Sequence, residues 1–473
     1  MEFASWLVST VDSGIIWYFL AVNSFYGLLL LLSIPEIWKH WKLSSSEDVN
    51  HLVGSEALPP ISVLMPAYNM EASIVTSVRA QLALTYPRHE VVLINDGSVD
   101  GTFEKLRRAF ELYEVPPAIP RRIPTQPVRG YYRSRSDAGL LVVDKENGGK
   151  SDALNAGLGA ARYPLVLAVD ADTMVEPDAL LRLARVFVSG RPIAGAGGTI
   201  RVANGCKIED GRVTEARVPR RFLPGVQVPE YLRAFLFGRL GWNRLGGNLV
   251  VSGAFGLFHR QYMLEIGGYA TDNVVEDLDL VVRLHKHLRH LGEPYEISFI
   301  PDPVAWTEVP SDLRTLGRQR ERWHRGLILT MARHRRMLFN PRYGTVGTVM
   351  FPFFFFGEML APVVELVGYV LTILGLTFGL VDLEVALLFF AAALGYGMLL
   401  SVWAVILDEV TFRSYPRHRD FAWMLLFAFL EPFGYRQLTV VWRLRSFWSA
   451  FRKRTHWGEM KRTGFQDEQD VAA

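Results

Sequence analysis

Two aspartates one residue apart, Asp170 and Asp172, follow directly after a short apolar run at residues 165–169. Such a run, rich in branched residues, is typical of a β-strand buried on both faces, which puts the carboxylates at its carboxyl end. Ligands of open α/β sheets bind at that edge, and two carboxylates there can share a hard cation that would neutralise a diphosphate. An isolated pair is equally typical of a surface turn or a helix N-terminus, so the interpretation depends on the other motifs.

A second acidic pair, Glu276 and Asp277, stands at the start of a predicted helix. Asp277 could simply cap that helix; its functional interpretation is a general base that accepts a proton from a reacting hydroxyl. The same helix carries His285, His287 and His290. Their spacing is not that of a helical zinc pair, and we expect them to be exposed or interfacial.

Lys150 follows two glycines and precedes Ser151, an order that resembles the end of a phosphate-binding P-loop. The motif is incomplete, because Asp144 occupies the position of its first glycine. Two interpretations of Lys150 stay open. It is either a solvated lysine or a cation that meets a phosphate near a helix N-terminus, where backbone N–H groups favour anions.

Gln319, Arg322 and Trp323 lie in a helical pattern at spacings that place them on one face. That face would present an amide, a guanidinium that can clamp an anion, and an indole on which a flat ligand can stack. The alternative is an interfacial helix whose arginines meet lipid headgroups. The two interpretations are compatible.

The elements that position these residues alternate between strands and helices, which indicates parallel βαβ units. A predicted strand at residues 61–65 ends at Pro66 and leads to Tyr68, and a second at residues 91–94 leads to Asp96.

Two stretches interrupt the pattern. We expect the helix after Asp96 to run to about residue 113, the proline- and arginine-rich segment 115–138 to be a surface excursion, and residues 206–228 to be irregular. Residues 250–256 are expected to form a strand that ends in a tight turn, where small side chains let the backbone approach a ligand closely.

Hydrophobic residues make up 50% of the chain, which points to a membrane protein. The uncharged runs 14–34 and 385–407 are each long enough to cross a hydrocarbon core of about 30 Å. Segment 345–381 is also apolar but contains Glu358 and Glu365, seven residues apart, whose shared helical face should look into the protein or a polar passage.

The positive-inside rule places the residues after the first span in the cytosol. Segment 421–442 is broken at Glu431 and Pro432, and we expect it to be re-entrant or interfacial, with a basic tail, 443–473, on the cytosolic side. A net charge of +3 does not support a nucleic-acid partner, and Cys206, the only cysteine, excludes intramolecular disulfides.

Five motifs in order, followed by apolar spans, resemble the family 2 processive glycosyltransferases, which include cellulose synthase, hyaluronan synthase and the poly-N-acetylglucosamine synthases. The motifs are Pro66-Ala67-Tyr68-Asn69, Asn95-Asp96-Gly97-Ser98, Asp170-Ala171-Asp172, Glu276-Asp277, and Gln319 with Arg322-Trp323. No single motif is specific to this family, but the five motifs in this order, followed by apolar spans, are.

The resemblance implies an α/β GT-A (Rossmann-like) cytosolic domain inserted between transmembrane helices, with a UDP-sugar donor and Mg²⁺ or Mn²⁺ as the cofactor. Asp277 would be the catalytic base, and Asp170 and Asp172 the metal ligands. The implied donor-binding residues are Pro66, Tyr68, Asp96, Lys150, Asp170, Asp172, Gln319 and Arg322. The implied acceptor-binding residues are Ser252, Gly253, Phe255, Glu276 and Trp323.

Three positions depart from the family's pattern. Asn95 replaces the first aspartate that some members have, so uridine contacts depend on Asp96 alone. Val275 stands where many members have threonine, and Ala254 where several have cysteine, which leaves details of acceptor binding open.

We therefore expect a processive, inverting enzyme of the cell membrane that polymerises a β-linked polysaccharide, from UDP-N-acetylglucosamine first and UDP-glucose second, and translocates it. Membrane lipids and the growing polymer are the expected partners, with an accessory subunit or homo-oligomer left open. One alternative is the addition of a single sugar to a polyprenyl phosphate; another is a non-catalytic membrane partner that binds nucleotide or polysaccharide.

The expected domain order follows from these assignments. It comprises a transmembrane helix (1–42), a cytosolic GT-A domain (43–326), an interfacial basic segment (327–344), a transmembrane or re-entrant region (345–442) and a basic cytosolic tail (443–473).

Overall fold

The computed structural model describes residues 2–46, 57–116 and 123–451. These residues form two compact units. As far as it is described, the sheet unit contains residues 38–217 and 246–309, and the helical unit contains residues 2–37, 218–245 and 310–451. The predicted linker and surface excursion fall partly, and the predicted basic tail mostly, outside the described residues.

The sheet unit is built on a ten-stranded sheet with the order β3-β4-β5-β2-β1-β6-β11-β8-β12-β7, beside a small β9-β10 hairpin. The strands β1, β2, β5 and β6 run parallel, whereas β11 is antiparallel to both of its neighbours. The strands are β1 (Ile61–Ala67), β2 (His89–Asp96), β3 (Leu112–Val115), β4 (Val128–Ser134), β5 (Leu140–Lys145), β6 (Leu165–Val169), β7 (Met174–Val175), β8 (Ile193–Val202), β9 (Lys207–Glu209), β10 (Arg212–Glu215), β11 (Phe255–His259) and β12 (Glu296–Thr307).

Helices cover both faces of this sheet, because the side chains of each strand alternate between two apolar cores. Val63 and Val91 point into one core, and Leu64 and Val92 into the other. The helices of this unit, numbered along the whole chain after α1 (Glu2–Ser46), are α2 (Ile74–Leu82), α3 (Thr102–Ala109), α4 (Lys150–Ala160), α5 (Ala179–Phe187), α8 (Arg260–Glu265) and α9 (Glu276–Leu291). The predicted α/β class and its parallel units are confirmed.

The carboxyl ends of β5, β2, β1 and β6 consequently lie side by side at one edge of the sheet, in that order. The antiparallel β11 begins at the same edge, since Phe255 pairs with Val169. Every sheet-unit motif predicted from the sequence therefore follows a strand at this edge or lies beside one.

Several predicted segments were wrong in their secondary structure. The helix after Asp96 ends at Ala109, and β4, which pairs antiparallel with β3, lies within the expected surface excursion. Residues 206–228 contain a hairpin and the start of α6, and the expected strand at 250–256 is mostly loop. An edge strand needs one apolar face only, so its alternation is easily lost among prolines and arginines.

Among the residues described, two helical segments are long and apolar enough to span a membrane, Ser13–Trp41 and Leu383–Thr411. A third is possible if the bent pair Val346–Met359 and Ala361–Thr377, which meet at 41°, forms one span. The expected break near Glu431 is present, because α15 ends at Leu430 and α16 begins at Tyr435.

The unit's α-helices besides α1 are α6 (Phe222–Tyr231), α7 (Gly238–Arg244), α10 (Leu313–Arg333), α11 (Phe351–Phe353), α12 (Ala361–Thr377), α13 (Leu383–Phe390), α14 (Tyr396–Thr411), α15 (His418–Leu430) and α16 (Tyr435–Phe451). π-Helical turns occupy Leu232–Phe237, Val346–Met350, Phe354–Met359 and Ala391–Gly395, and 3₁₀ turns Arg335–Met337 and Pro341–Tyr343.

Two ion pairs join α16 to the apolar segment before and within α12. Glu365 accepts two bonds from Arg436, and Glu358 accepts one from Arg443 at 3.1 Å. The two glutamates are seven residues apart, and so are the two arginines, but the later glutamate pairs with the earlier arginine. The two segments therefore run antiparallel, with each glutamate opposite an arginine. Glu365 is buried, as expected for the glutamate face, and it is paired.

Candidate active site

The loops after β1 and β2 are joined to each other. The Asn69 N–H donates to Ser98 Oγ at 3.0 Å, and the Val99 N–H donates to Asn69 Oδ1 at 2.9 Å. The register pairs Ala67 with Asn95, so Tyr68 and Asp96 stand at neighbouring strand ends. The Tyr68 side chain is 45% exposed and is open to a ligand.

Asp96 is buried, and its carboxylate accepts three hydrogen bonds. Oδ1 accepts from Lys145 Nζ at 2.6 Å and from the Gly148 N–H at 3.0 Å, while Oδ2 accepts from the Gly149 N–H at 2.8 Å. Lys145 ends β5 and is fully buried. Asp96 therefore anchors the loop that leads into α4.

Lys150 is the first residue of α4 and bridges two acidic side chains. Its ammonium lies 2.7 Å from Asp170 Oδ1 and 2.8 Å from Glu276 Oε1, and it donates to the Gly253 carbonyl at 3.2 Å. Its side chain is mostly buried, which excludes the solvated interpretation. Lys150 thus connects the paired aspartates after β6 to the acidic start of α9.

Asp170 and Asp172 occupy a turn closed by the Thr173 N–H, which donates to the Asp170 carbonyl at 3.0 Å. Both residues keep part of their surface exposed. Nowhere in the described ranges do three His, Cys, Asp or Glu residues form a ready-made metal cluster. Two carboxylates supplemented by diphosphate oxygens and water match the oxygen ligands of Mg²⁺ or Mn²⁺, so the turn fits a cation that arrives with its ligand.

Asp277 lies against the loop before β11. Its Oδ2 accepts from the Gly253 N–H and its Oδ1 from the Leu278 N–H, both at 2.8 Å. A Cβ on residue 253 would lie 3.3 Å from atoms of Glu276 and Asp277, so glycine permits the close approach. The loop that carries Ser252 and Gly253 is therefore held beside the candidate base.

The two central charges have shifted pKa values. Burial raises the pKa of Asp277 above its ordinary value, and the neighbouring Glu276 carboxylate raises it further. Burial alone would lower the pKa of Lys150, but the Asp170 and Glu276 carboxylates outweigh it and raise that pKa. Asp277 is thus a stronger base than an exposed aspartate, and Lys150 stays a cation.

Two expectations for individual residues need correction. The Phe255 side chain is fully buried in the apolar core because the residue starts β11, so it takes no direct place in an acceptor site. His285 is buried rather than exposed; its ring nitrogens contact the Tyr295 hydroxyl and the Asn248 carbonyl, and burial lowers its pKa to about 4. It is a neutral core residue.

Gln319, Arg322 and Trp323 belong to α10 of the helical unit, and all three are partly exposed. The ring centroids of Trp323 and Phe235 are 6.2 Å apart, edge to face. The Gln319 side-chain oxygen is buried without a hydrogen-bond partner in the described part of the chain. The predicted helical placement of these residues is confirmed.

Arg320 lies within the same motif and fixes one face of Trp323. Its guanidinium carbon lies 4.6 Å from the centre of the Trp323 ring. One of its nitrogens donates to Glu230 at 2.8 Å and to the Tyr435 hydroxyl at 3.2 Å. Arg320 therefore ties α10 to α6 and α16.

Two models of known protein families match the chain. The model described as "Glycosyl transferase family 2" matches residues 62–266, and that described as "Glycosyl transferase family group 2" matches residues 165–448, more than half of the chain. The chain belongs to glycosyltransferase family 2. The resemblance inferred from the five motifs and the GT-A fold that it implied are thus confirmed.

Curated relatives of this family 2 glycosyltransferase include the poly-beta-1,6-N-acetyl-D-glucosamine synthase of Staphylococcus aureus (strain COL). It is 26% identical over 337 residues, which cover 71% of this chain and 68% of the relative. The synthase of the same name from Staphylococcus epidermidis is 27% identical over 267 residues, 56% of this chain and 54% of the relative.

Solved structures with partial similarity include a mannosyltransferase from Pyrobaculum calidifontis in complex with GDP-Man and Mn²⁺. It has a TM-score of 0.48 and 17% identity, covering 89% of this chain and 99% of that chain. S. aureus TarS, residues 1–349, has a TM-score of 0.38 and 15% identity, covering 80% of this chain and 91% of that chain.

Two residues of this family 2 glycosyltransferase were missed by sequence reasoning. Lys145 looks like an ordinary strand-end lysine, and its one signal is its position directly after an apolar run that is expected to be buried. Arg320 was overlooked because the functional role was assigned to Arg322, two residues later. Its spacing from Trp323 is that of helical neighbours, and that signal was available.

Proposed function

We propose that this family 2 glycosyltransferase is a processive, inverting polysaccharide synthase that uses a UDP-sugar, with UDP-N-acetylglucosamine as the first candidate and UDP-glucose as the second. The curated relatives named poly-beta-1,6-N-acetyl-D-glucosamine synthase support the choice of sugar. The observation that carries the proposal is the link from Asp277, through Glu276 and Lys150, to Asp170.

Asp277 serves as the general base. An acceptor hydroxyl attacks the anomeric carbon in line with the leaving diphosphate, which inverts an α-linked donor to a β-linked product. Its proton passes to the Asp277 carboxylate, which must lie within about 3 Å of the hydroxyl and contributes roughly 100- to 10,000-fold to the rate. The raised pKa of Asp277 suits this role.

The donor is held at the carboxyl edge of the sheet. Tyr68 and Asp96, with Pro66, contact the uridine, and Lys150 lies close enough to Asp170 to face a phosphate there. Gln319 and Arg322 add an amide and a guanidinium for the diphosphate. Mg²⁺ or Mn²⁺, held by Asp170 and Asp172, would supply charge neutralisation for the leaving group.

The acceptor end of the polymer occupies the loop that carries Ser252 and Gly253, next to Asp277. Glu276 orients this side of the site through Lys150, rather than by a free carboxylate, since its Oε1 is already bonded. Trp323 provides a stacking surface for a sugar ring.

The apolar helices anchor the enzyme in the cell membrane as a multi-pass protein, with the glycosyltransferase domain in the cytosol. The basic residues that follow the first span, Lys39 and Lys42, support this orientation. The polymer is translocated through the same chain.

A panel of radiolabelled UDP-sugars, incubated with membranes that contain the protein and Mg²⁺ or Mn²⁺, tests donor and product together. We expect N-acetylglucosamine to be incorporated into products many sugars long, sized by gel filtration after a brief chase. Products extended by one sugar and soluble in organic solvent would instead identify a polyprenyl-phosphate transferase. No incorporation from any donor would favour a non-catalytic partner.

Translocation needs a separate measurement. Inside-out vesicles, which expose the cytosolic face, receive UDP-N-acetylglucosamine from outside, and the polymer is then digested with a glycosidase that cannot enter. The proposal expects the product inside the vesicles and protected until detergent is added. Complete digestion without detergent would mean elongation without translocation.

A further inference from the structure

The Lys145 side chain is the most deeply buried cation near the proposed donor site. It is fully buried. Its ammonium lies 2.6 Å from Asp96 Oδ1 and 2.6 Å from Asp152 Oδ1, and it also donates to the Glu146 carbonyl. All three N–H bonds of the ammonium have an acceptor. A buried lysine is stable only when paired in this way.

The two carboxylates are themselves fixed to backbone. Asp152, in the first turn of α4, accepts from the Gln126 N–H, at 3.0 Å to Oδ2. The Asn147 side chain donates to the Asp96 carbonyl at 2.8 Å. Asn147, Gly148 and Gly149 thus bind the loop 146–149 to Asp96, whereas Asp152 holds the first turn of α4 to residue 126.

The acceptor capacity of Asp96 is unevenly used. Each carboxylate oxygen can accept about two hydrogen bonds. Among the described residues Oδ1 accepts two, from Lys145 and Gly148, whereas Oδ2 accepts one, from Gly149. Oδ2 can therefore accept one more donor, such as the ring N–H of uracil. Cytosine presents an unprotonated ring nitrogen at that position, which a carboxylate repels.

The same loop sets the position of Lys150. The loop leads directly into Lys150, whose ammonium bridges Asp170 and Glu276. A displacement of the loop would move both the carboxylate that faces the base of the donor and the cation that faces its phosphates.

We propose that Lys145 is a positioning residue that aims Asp96 at the nucleobase of the donor and thereby sets the preference of the enzyme for uridine nucleotides. This inference rests on the proposed use of a UDP-sugar. Lys145 touches no substrate itself; it acts through Asp96 and the loop 146–149.

The affinities for UDP and for CDP are measured by calorimetry on the full-length protein in detergent and compared with each other. Donor KM and kcat are measured separately by steady-state kinetics. The variant Lys145→Gln keeps a polar side chain but loses the charge. We expect donor KM to rise about 10- to 100-fold, with a smaller change in kcat, as for other residues that orient a ligand-binding group. The UDP-over-CDP affinity ratio should fall toward one. If Lys145 had only a structural role, its loss would weaken the binding of UDP and of CDP equally. The UDP-over-CDP affinity ratio would then stay unchanged, and that result would overturn the proposal.

A second variant guards against misfolding. Lys145→Gln combined with Asp152→Asn removes one cation and one anion, so the buried cluster keeps the net charge that it has in the wild type. We expect this double variant to regain part of the lost UDP preference. The single variant Asp152→Asn leaves Lys145 paired with Asp96 and should keep the wild-type ratio; a ratio near one in that variant contradicts the proposal even if Lys145 variants do not fold.

The proposed function and this inference can fail separately. A wild-type protein that prefers UDP to CDP but incorporates no sugar contradicts the synthase function and leaves the role of Lys145 standing. An active wild-type enzyme whose Lys145→Gln variant keeps both KM and the nucleotide ratio contradicts the role of Lys145 alone.

Discussion

Single lysines placed between two carboxylates organise the site at the scale of residues. Lys145 joins Asp96 to Asp152, and Lys150, five residues later, joins Asp170 to Glu276. The acidic residues could be predicted, because their motifs recur in a known order. The counterions could not, since a lysine at a strand end carries no sequence signature and its burial depends on long-range pairing.

Protonation of Asp277 should determine the acid limb of the pH–rate profile. Because the pKa of Asp277 is raised by burial and by Glu276, the base is lost to protonation at a higher pH than an ordinary aspartate would be. We expect kcat/KM to fall as pH decreases through an apparent pKa above 3.8, the ordinary value.

The variant Glu276→Gln provides the control for this assignment. It removes the second cause of the shift, so the acid limb should move to lower pH even if the overall rate is reduced. A limb that is identical in both proteins, or a wild-type limb at the ordinary aspartate value, is incompatible with Asp277 as the base.

Elements that pack on both faces were predictable, whereas edge elements were not. The strands β1, β2 and β6 were expected within a few residues of their observed limits, because their apolar patterns are continuous, and a helix was expected to start near Glu276, where α9 begins. The edge pair β3 and β4 and the loop 250–254 were not. Their conformations are set by pairing and by contacts such as that between Gly253 and Asp277 rather than by local pattern.

The turn after β2 depends on Gly97 for its close contact with the loop 146–149. Gly97 adopts φ +69°, and a Cβ there would lie 2.6 Å from the Asn147 backbone nitrogen. The substitution Gly97→Ala should therefore lower stability by about 1–3 kcal/mol and loosen the loop 146–149. The measurement is the thermal unfolding midpoint with and without UDP.

Gly159→Ala is the matched control. Gly159 lies within α4, and a Cβ there meets nothing within 4 Å. Alanine favours the helix by roughly 0.5–1 kcal/mol, so this variant should unfold at the same or a higher temperature. A Gly97→Ala protein as stable as Gly159→Ala would show that the turn after β2 is not strained against the loop.

The chain as a whole interleaves two units, which its motif order does not reveal. The boundary expected at residues 43–326 stays a prediction; within it, residues 218–245 and 310–326 cluster with the helical unit. Helix α6 has only 10 residues, and the 21 residues of α10 include many charged ones, so neither is recognised from sequence as part of an apolar assembly. Their placement comes from pairs such as Glu230 with Arg320, which link segments far apart in sequence.

The ion pair between Glu365 and Arg436 tests this assembly. Breaking a buried pair by removing one partner costs about 3–5 kcal/mol, because the other charge is left uncompensated. Glu365→Gln should accordingly lower the unfolding temperature of the detergent-solubilised protein markedly, and Glu365→Gln with Arg436→Met should recover most of that loss. Additive losses in the double variant would mean that the two side chains do not stabilise each other.

The role of Asp277 as the catalytic base is tested by the turnover of the variant Asp277→Asn. UDP release from UDP-N-acetylglucosamine is measured for this variant, the wild type and Asp210→Asn, a control in an exposed turn whose left-handed φ of 50° asparagine also tolerates. UDP binding is measured on the same preparations. We expect Asp277→Asn to bind UDP like the wild type but to turn over at least about 100-fold more slowly, with Asp210→Asn unaffected. Wild-type turnover by Asp277→Asn would contradict the assignment of the base, and with it the account of this site.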